Sequence, residues 1–140
     1  MKKYLYFIVF FFLISSSTDI QAQKWLKGHW VGIGYQYNSD ISTWPIDFQF
    51  KSKKEIKINY PTLECSGNFV RVSSNRHKAV FKEKIIVGKE FCYDNSIVIM
   101  TKIDANYISV AYFSPNMKDG PMATAVLERK KVNVKTLKKM

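Results

Sequence analysis

The sequence predicts an all-β fold: an antiparallel, up-and-down, eight-stranded barrel with little helix. Three observations carry that prediction. Apolar residues recur with a period of two along most of the chain, no window beyond residue 22 has a convincing period of 3.6, and turn-forming clusters separate the alternating runs at regular spacing. Alternation sends apolar side chains to one face of a sheet and polar ones to the other. Short strands evenly spaced between turn residues indicate a sandwich or barrel. Closing the sheet removes the exposed edges that would template aggregation.

The elements follow in order. Strands are expected over 29–37, 43–50, 55–60, 67–73, 78–87, 96–103, 107–113 and 122–129. In the second, Trp44, Ile46, Phe48 and Phe50 alternate with Asp47 and Gln49; in the third, Ile56, Ile58 and Tyr60 alternate with Lys57 and Asn59. Ala79, Phe81 and Ile85 share one parity of the fifth while Lys82 and Lys84 hold the other. In the sixth, Ile97, Ile99, Thr101 and Ile103 alternate with Val98 and Met100, so both faces are apolar. Between the runs lie Asn38-Ser39-Asp40, Ser52-Lys53-Lys54, Ser73-Ser74-Asn75, Gly88, Asp94-Asn95, Asp104-Ala105-Asn106 and Ser114-Pro115-Asn116 with Asp119-Gly120-Pro121. Such residues supply the positive φ, preset φ or local side-chain bonds that tight reversals need.

Residues 1–22 are expected to be an export signal. Lys2 and Lys3 precede an apolar run of 11 residues from Tyr4 to Ile14, a polar stretch follows, and Ala22 stands at the cut, leaving Gln23 as the new N-terminus. The alternative, an uncleaved membrane anchor, would need about 20 apolar residues. No Cys lies near the cut to carry a lipid. The expected destination is the periplasm, the outer surface or the medium.

Charge and composition narrow the classes further. The 140 residues include 22 Lys+Arg against 11 Asp+Glu, 46% are apolar and 15% aromatic. That length suits one domain, placed at 23–129, and the apolar content excludes a disordered chain. Beyond residue 22 there are 20 basic and 10 acidic residues, and six of the basic ones fall between Glu128 and Met140. The stretch 130–140 therefore reads as a basic tail, either a solvated terminus or an attachment to anionic envelope polymers or lipids. Two Cys residues exclude a disulfide-dense mini-protein and a four-Cys zinc site. In an oxidising compartment Cys65 and Cys92, each at a strand boundary, are expected to form a staple worth roughly 3–4 kcal/mol on the loop-entropy account.

Gly28-His29-Trp30 opens the first strand and Glu128-Arg129 closes the last. That pairing resembles the lipocalins and their calycin relatives, whose first strand begins Gly-x-Trp. The resemblance implies that Trp30 plugs one end of the barrel and Arg129 covers it through a cation–π contact. Trp30-x-Gly32, Tyr60-Pro61, Cys65-Ser66-Gly67, Phe81-x-Glu83, Gly88, Cys92 and Leu127-x-Arg129 are similar to a group of small bacterial extracytoplasmic domains that brings no assigned activity but supports the disulfide. The chain departs from a standard lipocalin in being shorter and in lacking an evident second motif or C-terminal helix.

Glu83 sits on the apolar parity of its strand, where an isolated charge is costly. Either it is a polar contact within a ligand cavity, or it is the buried partner of Arg71 on the neighbouring strand. Tyr35, Tyr60 and Arg71 are further candidates to line such a cavity; Tyr37, Trp44, Tyr93, Tyr107 and Tyr112 complete an aromatic-rich set that can serve as core. His29 and His77 lack metal-ligand spacing, and no serine stands in a nucleophile-elbow context. The reading is a non-catalytic binding module, with no metal, cofactor or nucleic-acid partner, that holds a small apolar or amphipathic ligand in a barrel mouth. Its rival is an envelope- or protein-interaction domain acting through loops and the basic tail.

Overall fold

A computed structural model of the chain describes residues 24–37, 40 and 42–131. The expected export signal at 1–22, its cleavage point and all of the basic tail but Lys130 and Lys131 lie outside the described residues.

Eight antiparallel strands follow one another around a closed barrel: β1 (Gly28–Gln36), β2 (Thr43–Ser52), β3 (Glu55–Tyr60), β4 (Cys65–Ser74), β5 (Lys78–Val87), β6 (Ile97–Lys102), β7 (Tyr107–Phe113) and β8 (Pro121–Arg129). Closure is made by β1 against β8, from Trp30 opposite Arg129 to Gln36 opposite Ala123. The expected strands are found, most within one residue; β2 and β4 each run two residues beyond an expected end. A short 3-10 turn at Pro61–Leu63 joins β3 to β4.

The period-two pattern does what the pleat requires. Trp44, Ile46, Phe48 and Phe50 of β2 all point inward, as do Ile56, Ile58 and Tyr60 of β3 and Ala79, Phe81, Glu83 and Ile85 of β5. In β6, where both faces are apolar, Val98 and Met100 face the core while Ile97 and Ile99 are half-buried on the other face. The middle of the barrel is filled: Phe48, Phe69 and Phe81 pack ring on ring at centroid distances of 5.5, 5.6 and 6.4 Å. Val98, Met100, Ile108, Val110 and Leu127 are buried with them.

One pole is shut. Trp30 is fully buried and donates its indole N–H to Leu26 O at 2.8 Å. The segment before β1 lies across this pole, with Trp25 and Leu26 buried and Trp25 Nε1 bonded to Asn75 O in the β4–β5 turn at 2.9 Å. The Arg129 guanidinium stands 4.1 Å from the Trp30 ring centroid. Its Nε donates to Ala105 O at 3.0 Å, Nη2 to Trp25 O at 2.8 Å, and Nη1 to Lys27 O. One side chain thus ties β8 to the entering segment, to the β6–β7 turn and to the indole. Gly28 makes this approach possible. Its φ is +128°, and a Cβ there would lie 2.8 Å from Arg129 Nη1.

Cys65, the buried first residue of β4, is bonded to Cys92 in the β5–β6 loop, with their Cα atoms 6.4 Å apart. The bridge is consistent with an oxidising, extracytoplasmic setting.

Arg129→Ala removes the ring contact and three donors from a partly exposed site. It is expected to cost about 1–2 kcal/mol in urea denaturation. Arg129→Lys recovers only part of the loss, because an ammonium lacks the planar fork. Unchanged stability in Arg129→Ala would remove the covering role.

Candidate functional site

The pole opposite Trp30 is open. A cavity of about 220 Å³ lies in the mouth, where β1 ends and β2 begins, bounded by the β3–β4 turn and the β5–β6 loop. The inward residues at that end, Trp44, Tyr60, Glu83, Ser96, Tyr112 and Ala123, form its floor and walls, and Gln36, Leu63, Phe91, Cys92, Tyr93 and Met122 complete the lining. Below lies the phenylalanine cluster, so the cavity is a shallow cup.

Each wall has a local cause. Trp44 is the first inward residue of β2 and fits because β1 passes it at Gly34, where a Cβ would come within 2.7 Å of the indole. Tyr60 is the last inward residue of β3 and Tyr112 the last of β7. Ring centroids of Trp44 and Tyr112, and of Tyr60 and Tyr112, are both 6.4 Å apart and edge-to-face, a favoured arrangement for aromatic pairs. Phe91 and Tyr93 flank Cys92, so the disulfide fixes two rim aromatics that are 60% and 71% exposed.

Glu83 is 3% exposed. Tyr60 Oη donates to Glu83 Oε1 at 2.5 Å and lies 3.1 Å from Tyr112 Oη. Ser96, itself buried, supplies a second side-chain hydrogen bond to the carboxyl, and the backbones of the two residues pair through Glu83 N–H and Ser96 O at 2.9 Å. Burial pushes the Glu83 pKa up to about 7; the bonds from Tyr60 and Ser96 oppose that rise, and the Asp94 charge adds to it. Asp94 stays low because the backbone N–H of Ile85, and then that of Asn95, bond its carboxylate. Burial likewise raises the Tyr60 and Tyr112 hydroxyls, so both remain protonated at neutral pH.

The expected site residues separate. Glu83 and Tyr60 meet at the cup floor. Tyr35 does not line it: its strand parity turns the ring outward, 49% exposed, to meet Tyr37 edge-on at 5.3 Å. Arg71 is not the partner that sequence suggested for Glu83. The β4–β5 register sets Phe69 opposite Glu83 and Arg71 opposite Phe81, just before a bulge, and Arg71 Nη1 donates to Ser74 Oγ at 3.1 Å towards the shut pole. Leu63 and Phe91 lie in connections, where no strand parity indicates direction, and Ser96 and Met122 stand at strand ends.

Of the two histidines, His29 bonds Asp47 Oδ1 at 2.8 Å across the β1–β2 wall, away from the cup. Comparison with known proteins gives no match to any protein-family model and none to a curated protein sequence.

The raised Glu83 pKa makes stability pH-dependent. Between 4.5 and about 7 the folded chain holds a proton that the unfolded chain releases. Stability from this group is therefore fully present below the unfolded value and lost as pH rises through the folded one, by on the order of 3 kcal/mol. Glu83→Gln should abolish that part. Urea denaturation should show the variant gaining on the wild type between pH 5 and pH 8; a constant difference would contradict the burial account.

Proposed function

We propose that the protein is an exported, non-catalytic binding module of lipocalin-like build that holds a small amphipathic ligand in the barrel mouth. The observation that carries this reading is the cup itself: an aromatic-walled recess with a few convergent polar groups, the usual composition of a small-molecule site. The shut pole and the filled middle leave this end as the recess of the interior. Support for a lipocalin-like kinship comes from the indole plug, its guanidinium cover and the closed eight-strand meander. Support for export comes from the disulfide and from the leader-like residues 1–22. The volume suits a ligand of one ring with a short chain, smaller than a long acyl tail.

The test is a fragment screen by protein-observed NMR on the mature chain. Amide and indole shifts should move at Gln36, Trp44, Ser96 and Ala123, with none at Phe48 or Leu127. Perturbation confined to the shut pole, or no binder among small aromatic amphiphiles, would contradict the reading.

A second reading, attachment to an anionic envelope surface, is favoured by one specific feature. Lys24, Lys27, Lys51, Lys53 and Lys54 surround a shallow groove over Phe50 at the shut pole, and only Lys51 among them has an ion-pair partner, Glu55 at 3.2 Å, in the described residues. A basic residue near an anionic membrane contributes about 1 kcal/mol. Binding to phosphatidylglycerol vesicles should fall at least tenfold when Lys24, Lys27, Lys53 and Lys54 become Gln, and should weaken with salt. Salt-independent retention would remove this mechanism.

A further inference from the structure

Buried carboxylates in folded proteins are normally matched by a cation or a metal, because the charge is otherwise too costly to desolvate. Glu83 departs from that pattern. Among the described residues, the polar and charged groups that act on it are Tyr60 of β3, Ser96 and Asp94 of the β5–β6 segment, and Tyr112 of β7, while β4 sets the apolar Phe69 opposite it. None of these is cationic. Two hydroxyl groups bond it, a third lies within reach of the first, and the charge that acts on it among the described residues is negative. The carboxyl also lines the cavity, so the missing counter-charge can arrive from the mouth.

The walls favour the same partner. Trp44, Tyr60 and Tyr112 line the same cavity as the carboxyl, with Phe91 and Tyr93 at the rim. Aromatic faces attract cations, indole most strongly, and desolvated sites increase the effect. A neutral apolar ligand would use these rings but leave the carboxyl unmatched. An anionic ligand would meet the Glu83 carboxyl at the cup floor.

We infer that the cup is a site for a small organic amine or quaternary ammonium whose cationic head sits among Trp44, Tyr60 and Tyr112 against the Glu83 carboxylate. The inference rests on the cup being a ligand site and adds the chemical class. Because the carboxyl is largely protonated below pH 7 in the empty cup, taking up a cation expels that proton. Affinity for a permanently charged amine then rises between pH 6 and pH 8. Tyr60 and Ser96 remain as donors holding the carboxylate in place.

The experiment is calorimetric titration of the mature protein at pH 8 with three matched probes: 2-phenylethylamine, 2-phenylethanol and 3-phenylpropionate. The expected order is the amine at least tenfold tighter than the alcohol, with the acid weakest, and the amine's advantage falling at pH 6. Glu83→Gln should reduce the amine to the affinity that the same variant shows for the alcohol. Should that variant not fold, the wild-type order and its pH dependence decide by themselves. Equal or better binding of the alcohol overturns the amine assignment and leaves the cup reading standing. No binding by any probe overturns both. An amine preference that persists in folded Glu83→Gln overturns the role given to the carboxylate.

Discussion

The closure of β1 on β8, locked where Arg129 covers Trp30, is the constraint on which the rest of the structure depends. An eight-strand meander has two edges, and unless they pair they remain exposed to solvent and to other chains. Here the pairing starts at the very residues that fill the shut pole. The guanidinium bonds carbonyls of the entering segment and of the β6–β7 turn, so the same side chain that covers the indole draws three stretches of chain together. Shutting one pole in this way leaves the other as the entrance.

From that asymmetry the distribution of side chains follows. Near the plug the fully buried side chains among the described residues are apolar, with the phenylalanine cluster above them. Towards the mouth the rings carry hydroxyls, and Glu83 and Ser96 are the buried polar or charged residues among those described. Ionisation of that carboxyl weakens the fold, and the group lies beneath an open aromatic recess, the arrangement on which the proposed binding role rests.

Much of the architecture was legible in the sequence, because one sheet face is apolar and the other polar in β2, β3 and β5, leaving a single register that buries both Phe48 and Phe81. The disulfide was legible because the chain has two Cys residues, each at a strand boundary; the indole plug was legible through the resemblance carried by Gly28-His29-Trp30 and Glu128-Arg129. The site was only partly readable. Glu83 and Tyr60 stood out by parity, yet Arg71 and Tyr35 were misplaced as companions. Cross-strand register decides who faces Glu83, and it sets Arg71 opposite Phe81, one inward position farther from the mouth. Tyr35 shares its strand with Trp30 but has the opposite parity, which the aromatic count alone ignored. Trp25 and Leu26 went unremarked because they precede the first strand, where alternation gives no guide. β6 offered two apolar faces, so nothing in its pattern could choose Val98 and Met100 over their neighbours.

The Glu83 carboxyl lies at the bottom of the mouth, kept from water and without a cationic partner among the described residues. Carbon-13 detection of side-chain carboxyls during a pH titration of the mature protein reads this directly. One glutamate resonance, assigned to Glu83 by its loss in Glu83→Gln, should titrate near pH 7, well separated from the surface carboxylates. A Glu83 resonance that titrates together with the exposed glutamates would place the group in water and contradict the account.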